Sequence, residues 1–194
     1  MLAAALTGGR VMRWTIAAVL VAITLLPAQA AELAGVKMED SVEVEGQILV
    51  LNGLGLREKL WIDVYVAGLY LPRKMADAEE ILASDTPRRM VMEFVRSVGK
   101  GRICGGWREG LANNSPDAPE SVKQAFETLC GYMEDVAAGD RFVFTYVPGK
   151  GTEVRVKGAV KGTIPGKEFA DALFACWIGP NPPGKGFKAG LLGG

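Results

Sequence analysis

The chain contains no histidine, and this one absence removes several classes of chemistry. Ser–His and Cys–His nucleophilic systems need an imidazole as their base, and the usual zinc sites need one as a ligand. Cysteine is scarce as well. Cys104, Cys130 and Cys176 are widely spaced and form no C-x-x-C pair. An exported chain meets oxidising conditions, so two readings of the three thiols stand side by side: one disulfide with one thiol left over, or three small buried hydrophobes. Their spacing does not choose a pair. No metal and no cofactor is expected. A basic tail or stripe is also missing, so nucleic acid is not an expected partner. Internal repeats and an interdomain linker are absent, which leaves a single domain.

The first thirty residues have the layout of a secretory signal peptide. Met12-Arg13 opens a short positive region, Ile16–Leu26 is apolar, and Ala28-Gln29-Ala30 is a small-x-small cleavage signal. The apolar core is too short for a stable bilayer anchor, and Met12 is the better start because residues 1–10 add nothing to the signal. Cleavage after Ala30 leaves residues 31–194 as one domain in the periplasm or outside the cell, without a stable membrane span. Arg10 and Arg13 go with the signal, leaving 20 of the 22 basic residues against all 22 acidic ones, a net charge of −2.

Within that domain, Ser41–Leu51 alternates and then turns apolar, as a strand does. Trp61–Leu71 is apolar on both faces, which places it in the middle of a sheet covered on both sides. Gly68 inside it predicts close approach of a helix or ligand. Asp77-Ala78-Glu79-Glu80 predicts a capped short helix, and Met90, Met92 and Phe94 alternate in another strand. Two helical stripes follow: Ile103, Trp107 and Leu111, then Val122, Ala125, Phe126, Leu129, Met133 and Val136. The chain returns to hairpins around Phe142–Tyr146, Val154–Val156 and Ala159–Ile164. A last amphipathic helix carries Phe169, Ala172, Leu173, Cys176 and Trp177, and the Pro/Gly-rich segment 180–186 is expected to wrap the surface. Strands, then helices, then strands predict an α+β fold with helices on one face of a large antiparallel sheet.

Two places could carry chemistry. Asn52-Gly53-Leu54-Gly55-Leu56-Arg57 reads as a glycine-punctuated turn that delivers one arginine to the end of the central strand. No helix follows and a third glycine is lacking, so this is not a dinucleotide fingerprint. A cation beside an apolar interior suits a small, flat or fatty anion; the alternative is a solvated turn residue. The second place is Trp107 with Asn114, seven positions on. Seven steps of about 100° return to nearly the same helical face. A carboxamide on an apolar face needs a partner, which a ligand can supply; the alternative is an exposed helix end before Ser115-Pro116.

These segments, together with Val64–Leu71, Phe169–Gly179 and Leu191-Leu192-Gly193, resemble the chalcone isomerase-like superfamily, its exported bacterial branch in particular, over residues 35–193. The resemblance implies an open-faced β-sandwich, a large antiparallel sheet with a helical layer and a ligand cleft between them. Carried over by position, the family's arginine falls on Arg57 and its asparagine on Asn114. Its threonine position falls on Tyr65 and its tyrosine position on Trp107. Both departures bear on catalysis. Tyr65 carries its hydroxyl further from the strand, and Trp107 has a donor but no acceptor, so it cannot hold a water that must give and take a proton. Both are bulky and shrink a cleft built for two aromatic rings. The resemblance therefore implies a non-catalytic binder of a small apolar or aromatic carboxylate, held by Arg57, Tyr65, Trp107 and Asn114. Two alternatives remain: a chalcone–flavanone type isomerase using Arg57, Tyr65 and Asn114, and a scaffold that holds a partner protein in the envelope space.

Overall fold

Four two-residue hairpin turns organise the strands. In the computed structural model, which describes residues 31–194, they sit at Ala34-Gly35, Glu45-Gly46, Leu60-Trp61 and Lys157-Gly158. Each places both central residues at positive φ, the geometry whose twist matches paired strands. The expected signal peptide and the Met12 start lie outside the described residues.

The strands are β1 (Ala31–Leu33), β2 (Val36–Met38), β3 (Ser41–Val44), β4 (Gln47–Lys59) and β5 (Ile62–Leu71). After α1 (Ala78–Ala83) comes β6 (Arg88–Phe94), then α2 (Lys100–Asn114) and α3 (Glu120–Tyr132). The chain closes with β7 (Arg141–Val147), β8 (Gly151–Val156), β9 (Ala159–Ile164), α4 (Lys167–Ile178) and α5 (Lys185–Leu191). Strands β3 to β9 form one antiparallel sheet in sequence order, and β1–β2 is a separate hairpin. The fold is the expected α+β open-faced sandwich.

Side chains alternate across β5 as its composition requires. Ala67, Leu69 and Leu71 face the helices, in one core with Trp107, Phe126, Phe144 and Trp177. Val66 and Tyr70 face the other way, against Val36 and Met38 of the β1–β2 hairpin and Leu49 and Leu51 of β4. Both faces of the central strand are thus covered, as expected. Gly68 lies on the second face. A Cβ there would come within 3.2–3.3 Å of Leu51, Leu54 and Met38 side chains, so neighbouring side chains, rather than a helix or a ligand, make the close approach.

Three expectations are corrected. The segment Asn52–Arg57 is not a turn; it lies inside the long strand β4, and the turn is Leu60-Trp61. Gly53 and Gly55 serve the docking of α5. A Cβ at Gly53 would meet the Gly190 carbonyl oxygen at 2.0 Å, and one at Gly55 the Phe187 carbonyl oxygen at 2.6 Å. Helix α4 is not amphipathic. Phe169, Ala170 and every residue from Ala172 to Ile178 are buried, and Asp171 alone within that run is half-buried. Segment 180–186 stays at the surface as expected, exposed or half-buried throughout, and leads into α5, whose Phe187 and Leu191 enter the core. The α3 stripe also ends early: the helix stops at Tyr132, though Met133 and Val136 stay buried, and Val136 bridges to Val98. Asp77 caps α1 as expected, accepting from the backbone N–H of Glu79 and Glu80 at 2.8 and 3.2 Å.

Helix α2 comes close to α4 at Gly110, where a Cβ would meet the Cys176 Sγ at 2.8 Å. Cys176 is buried, and burial pushes its thiol up to about 12. All three thiols are free, and the Cys104 Sγ donates to the Cys130 carbonyl at 3.5 Å across the α2–α3 contact.

Candidate functional site

Arg57 sits near the open end of β4, paired across the sheet with Tyr65, and the strand bulges immediately after it. The guanidinium is held from one side. Its Nη1 donates to the Glu58 carbonyl at 2.6 Å and to the Pro183 carbonyl at 2.7 Å, which engages both Nη1 protons. The remaining three N–H groups, on Nε and Nη2, have no hydrogen-bond partner among the described residues. The Nε–H and one Nη2–H lie along one edge of the planar fork, the edge that matches the two oxygens of a carboxylate.

Tyr65 stands beside it on β5, half-buried, with its ring edge-on to Phe94 at 5.7 Å and to Phe187 at 5.9 Å. Loss of solvent pushes its hydroxyl up to about 12, against the opposing pull of the Arg57 charge and the Trp177 indole. At neutral pH Tyr65 is therefore a protonated hydroxyl, able to donate. Trp107, on the inner face of α2, packs edge-on against Phe144 at 5.5 Å and Trp177 at 5.3 Å. Its indole N–H is buried with no acceptor among the described residues. A buried donor left unpaired costs about 1–3 kcal/mol.

Between these residues lies a cavity of about 840 Å³, bounded by β4–β6, α2, α4 and the loop Asn181–Pro183. Its apolar wall comprises Tyr65, Met92, Phe94, Ile103, Trp107 and Trp177. Arg57, Lys59, Arg96 and Arg102 also line it, against a single carboxylate, Glu109. None of the four cations is ion-paired with a described residue. Arg57 borders a second cavity too, of about 440 Å³, lined by Leu54, Leu56 and Phe187. Trp61, which would have closed the larger cavity had it pointed inward, is 93% exposed.

Of the four residues expected to bind ligand, Arg57, Tyr65 and Trp107 line the larger cavity and Asn114 does not. The Asn114 carboxamide donates to the Gly110 and Asn181 carbonyls, both at 3.0 Å, and accepts from the Asn181 N–H at 2.8 Å. It fastens the loop after α4 to the end of α2. All its polar atoms are engaged within the protein, so a ligand is not needed to satisfy it. Its neighbour Asn113 lines the cavity instead. Sequence reasoning did not single out Lys59, Arg96, Arg102 or Cys176 as cavity residues. Isolated surface-type charges carry no periodic signal, and only the folding of β6 and α2 gathers them at one mouth.

A family model described as chalcone isomerase-like matches residues 30–193. The crystal structure of a fatty-acid binding protein from Arabidopsis thaliana superposes with a TM-score of 0.66 at 16% identity. The alignment covers 84% of this chain and 96% of that one. At this identity the likeness is one of fold. No curated protein matches the chain.

Proposed function

We propose that this chain, which belongs to the chalcone isomerase-like family, is an exported, non-catalytic binder of a small apolar anion, a fatty or aromatic acid. The observation that carries the reading is the unpartnered edge of Arg57 at a cavity whose inner wall is apolar. The carboxylate would lie on Nε and Nη2 of Arg57, with the protonated Tyr65 hydroxyl as a further donor. The tail would run along Phe94, Ile103 and Trp107. That a protein of the same fold is described as a fatty-acid binder supports the assignment. Export, and the family's exported branch, rest on the leader-like run before Ala31.

Magnitudes say which part dominates. A charge-assisted arginine–carboxylate contact contributes about 1.5–3 kcal/mol. Each buried methylene contributes about 0.8 kcal/mol, so roughly four of them match the head group. Affinity should therefore rise with chain length until the cavity is filled. Calorimetric titration with saturated fatty acids of increasing length tests this, with Arg57→Ala as the partner experiment. The expected result is a graded increase with length and a loss of about tenfold in the variant. Affinity independent of length, or unchanged in Arg57→Ala, would sink the reading.

A further inference from the structure

Three of the four two-residue hairpins end in glycine, the residue that enters the left-handed region without steric cost. The fourth does not. Leu60 and Trp61 hold φ of 51° and 64°, and their side chains are 76% and 93% exposed. Ile62 follows at 46%. A bulky apolar pair in a strained backbone geometry with nothing packed on it is disfavoured twice, by the backbone and by water. No described core includes any of the three, so folding does not account for them.

Their position adds a second observation. Leu60 and Ile62 line the mouth of the larger cavity, next to Lys59, Arg57, Arg96 and Arg102. Glu58 and Asp63 pair across the arms just below the turn and offset Arg57 and Lys59 within the hairpin, so the excess of positive charge at the mouth comes from Arg96 and Arg102. The tip is therefore an apolar wedge with an indole at its apex and unpaired cations behind it. Tryptophan favours the boundary between water and acyl chains, and each basic residue adds attraction to an anionic headgroup layer. No helix of the described residues is long and apolar enough to cross a membrane, so contact would be superficial.

We propose that the Leu60-Trp61-Ile62 tip docks on an anionic lipid surface and brings the cavity mouth against the membrane. The exchange of a fatty acid between bilayer and cavity follows if the binding reading above holds; the docking itself does not depend on it.

The test uses residues 31–194, the chain left after the expected cleavage, and vesicles whose acyl chains carry bromine, which quenches indole fluorescence on contact. The Trp61→Gly variant, which restores the residue type found at the other three turns, serves as the blank, so the difference spectrum belongs to Trp61. Expected are quenching and a blue shift on vesicles of phosphatidylethanolamine and phosphatidylglycerol, weaker by about tenfold in high salt or on phosphatidylcholine alone. Trp61→Gly should also fold with undiminished thermal stability. Where a fatty acid is bound, the variant should load it from vesicles about tenfold more slowly while taking it from free solution as before. A Trp61 that stays unquenched on both vesicle types overturns the proposal, and would leave a protein partner as the occupant of the tip. Equal quenching on phosphatidylcholine would overturn the role given to the cations. Quenching without any fatty-acid binding would retain the docking and remove the binding reading.

Discussion

Replacing Gly53 by alanine should detach or displace α5, and the cost can be bracketed from the contacts. Gly53 has no positive φ, so alanine adds no backbone strain and the test is purely steric. Its Cβ would stand 2.0 Å from the Gly190 carbonyl oxygen, with the Leu191 oxygen at 2.9 Å and the Gly193 nitrogen at 3.0 Å. All three are backbone atoms, so no side chain can swing away. Relief requires α5 to withdraw from 2.0 Å to the roughly 3.4 Å of an ordinary contact. It cannot slide freely. Gly55 meets Phe187 and Gly190 meets the Leu54 carbonyl, both tightly, while Asn52 Nδ2 holds the Leu191 carbonyl at 2.8 Å. If the helix bends locally, overpacking costs about 1–3 kcal/mol. If it undocks, Phe187 and Leu191 lose their burial at about 1.5–3 kcal/mol each. Because the contact is backbone to backbone at three glycines, the second route should prevail, and a loss of about 3 kcal/mol or more is expected. Urea unfolding measures the loss, and limited proteolysis reports whether residues 185–191 become accessible. A change below about 1 kcal/mol with α5 still protected would refute the reasoning.

Asn114→Ala should cost about 1–3 kcal/mol in unfolding experiments, since it strips three hydrogen bonds from the α2–loop junction; a neutral result would show the clamp to be incidental. Alkali should destabilise the fold. Burial pushes Tyr65, Tyr70 and Tyr146 up to about 12 from 10.0, and Tyr146 donates to Asp85 at 2.6 Å besides. The folded state keeps protons that the unfolded chain releases, so this stability is complete below pH 10 and fades as pH rises to 12; flat melting temperatures across that window would contradict it. Cys176 should resist iodoacetamide in the folded protein and react on unfolding, because it is buried with its thiol pushed up to about 12; rapid labelling in the native state would show that the thiol is reached, through the cavity it lines or by opening of the α2–α4 contact.

The element order was legible in the sequence because hydrophobic period and turn chemistry agree along most of the chain. Val66, Ala67, Leu69 and Tyr70 alternate between two cores as a strand buried on both faces must. The failures share one cause: a local pattern has the same form whether the neighbour that explains it is near or far in sequence. Gly53 and Gly55 look like turn residues from their immediate context, but their partner is Gly190 and the chain around it. Leu60-Trp61 looks like more of the strand because nothing polar or flexible marks it, and only the pairing of Lys59 with Ile62 reveals the turn. Arg57, Tyr65 and Trp107 line one cavity and Asn114 does not, because a helical step of seven fixes a face but not what the end of that face meets. Here it meets Asn181, in a loop with no periodicity to read.

What the cavity presents to a ligand is mostly positive. The Nε and Nη2 groups of Arg57 and the hydroxyl of Tyr65 are free to donate, and the N–H of Trp107 is buried without an acceptor. None of them is a base near neutral pH: the guanidinium stays charged, the indole has no lone pair to offer, and Tyr65 is held at about 12. Glu109 is the one carboxylate on the lining, and it is exposed on α2 rather than set against the apolar wall. A cyclisation that moves a proton needs a group that takes it and returns it. The donors on Arg57 and Tyr65 suit the head of an anionic ligand under the binding reading proposed above. Trp107 keeps its N–H unpaired inside the protein, and about 1–3 kcal/mol of unmet hydrogen bonding is tolerable in a fold with two cores.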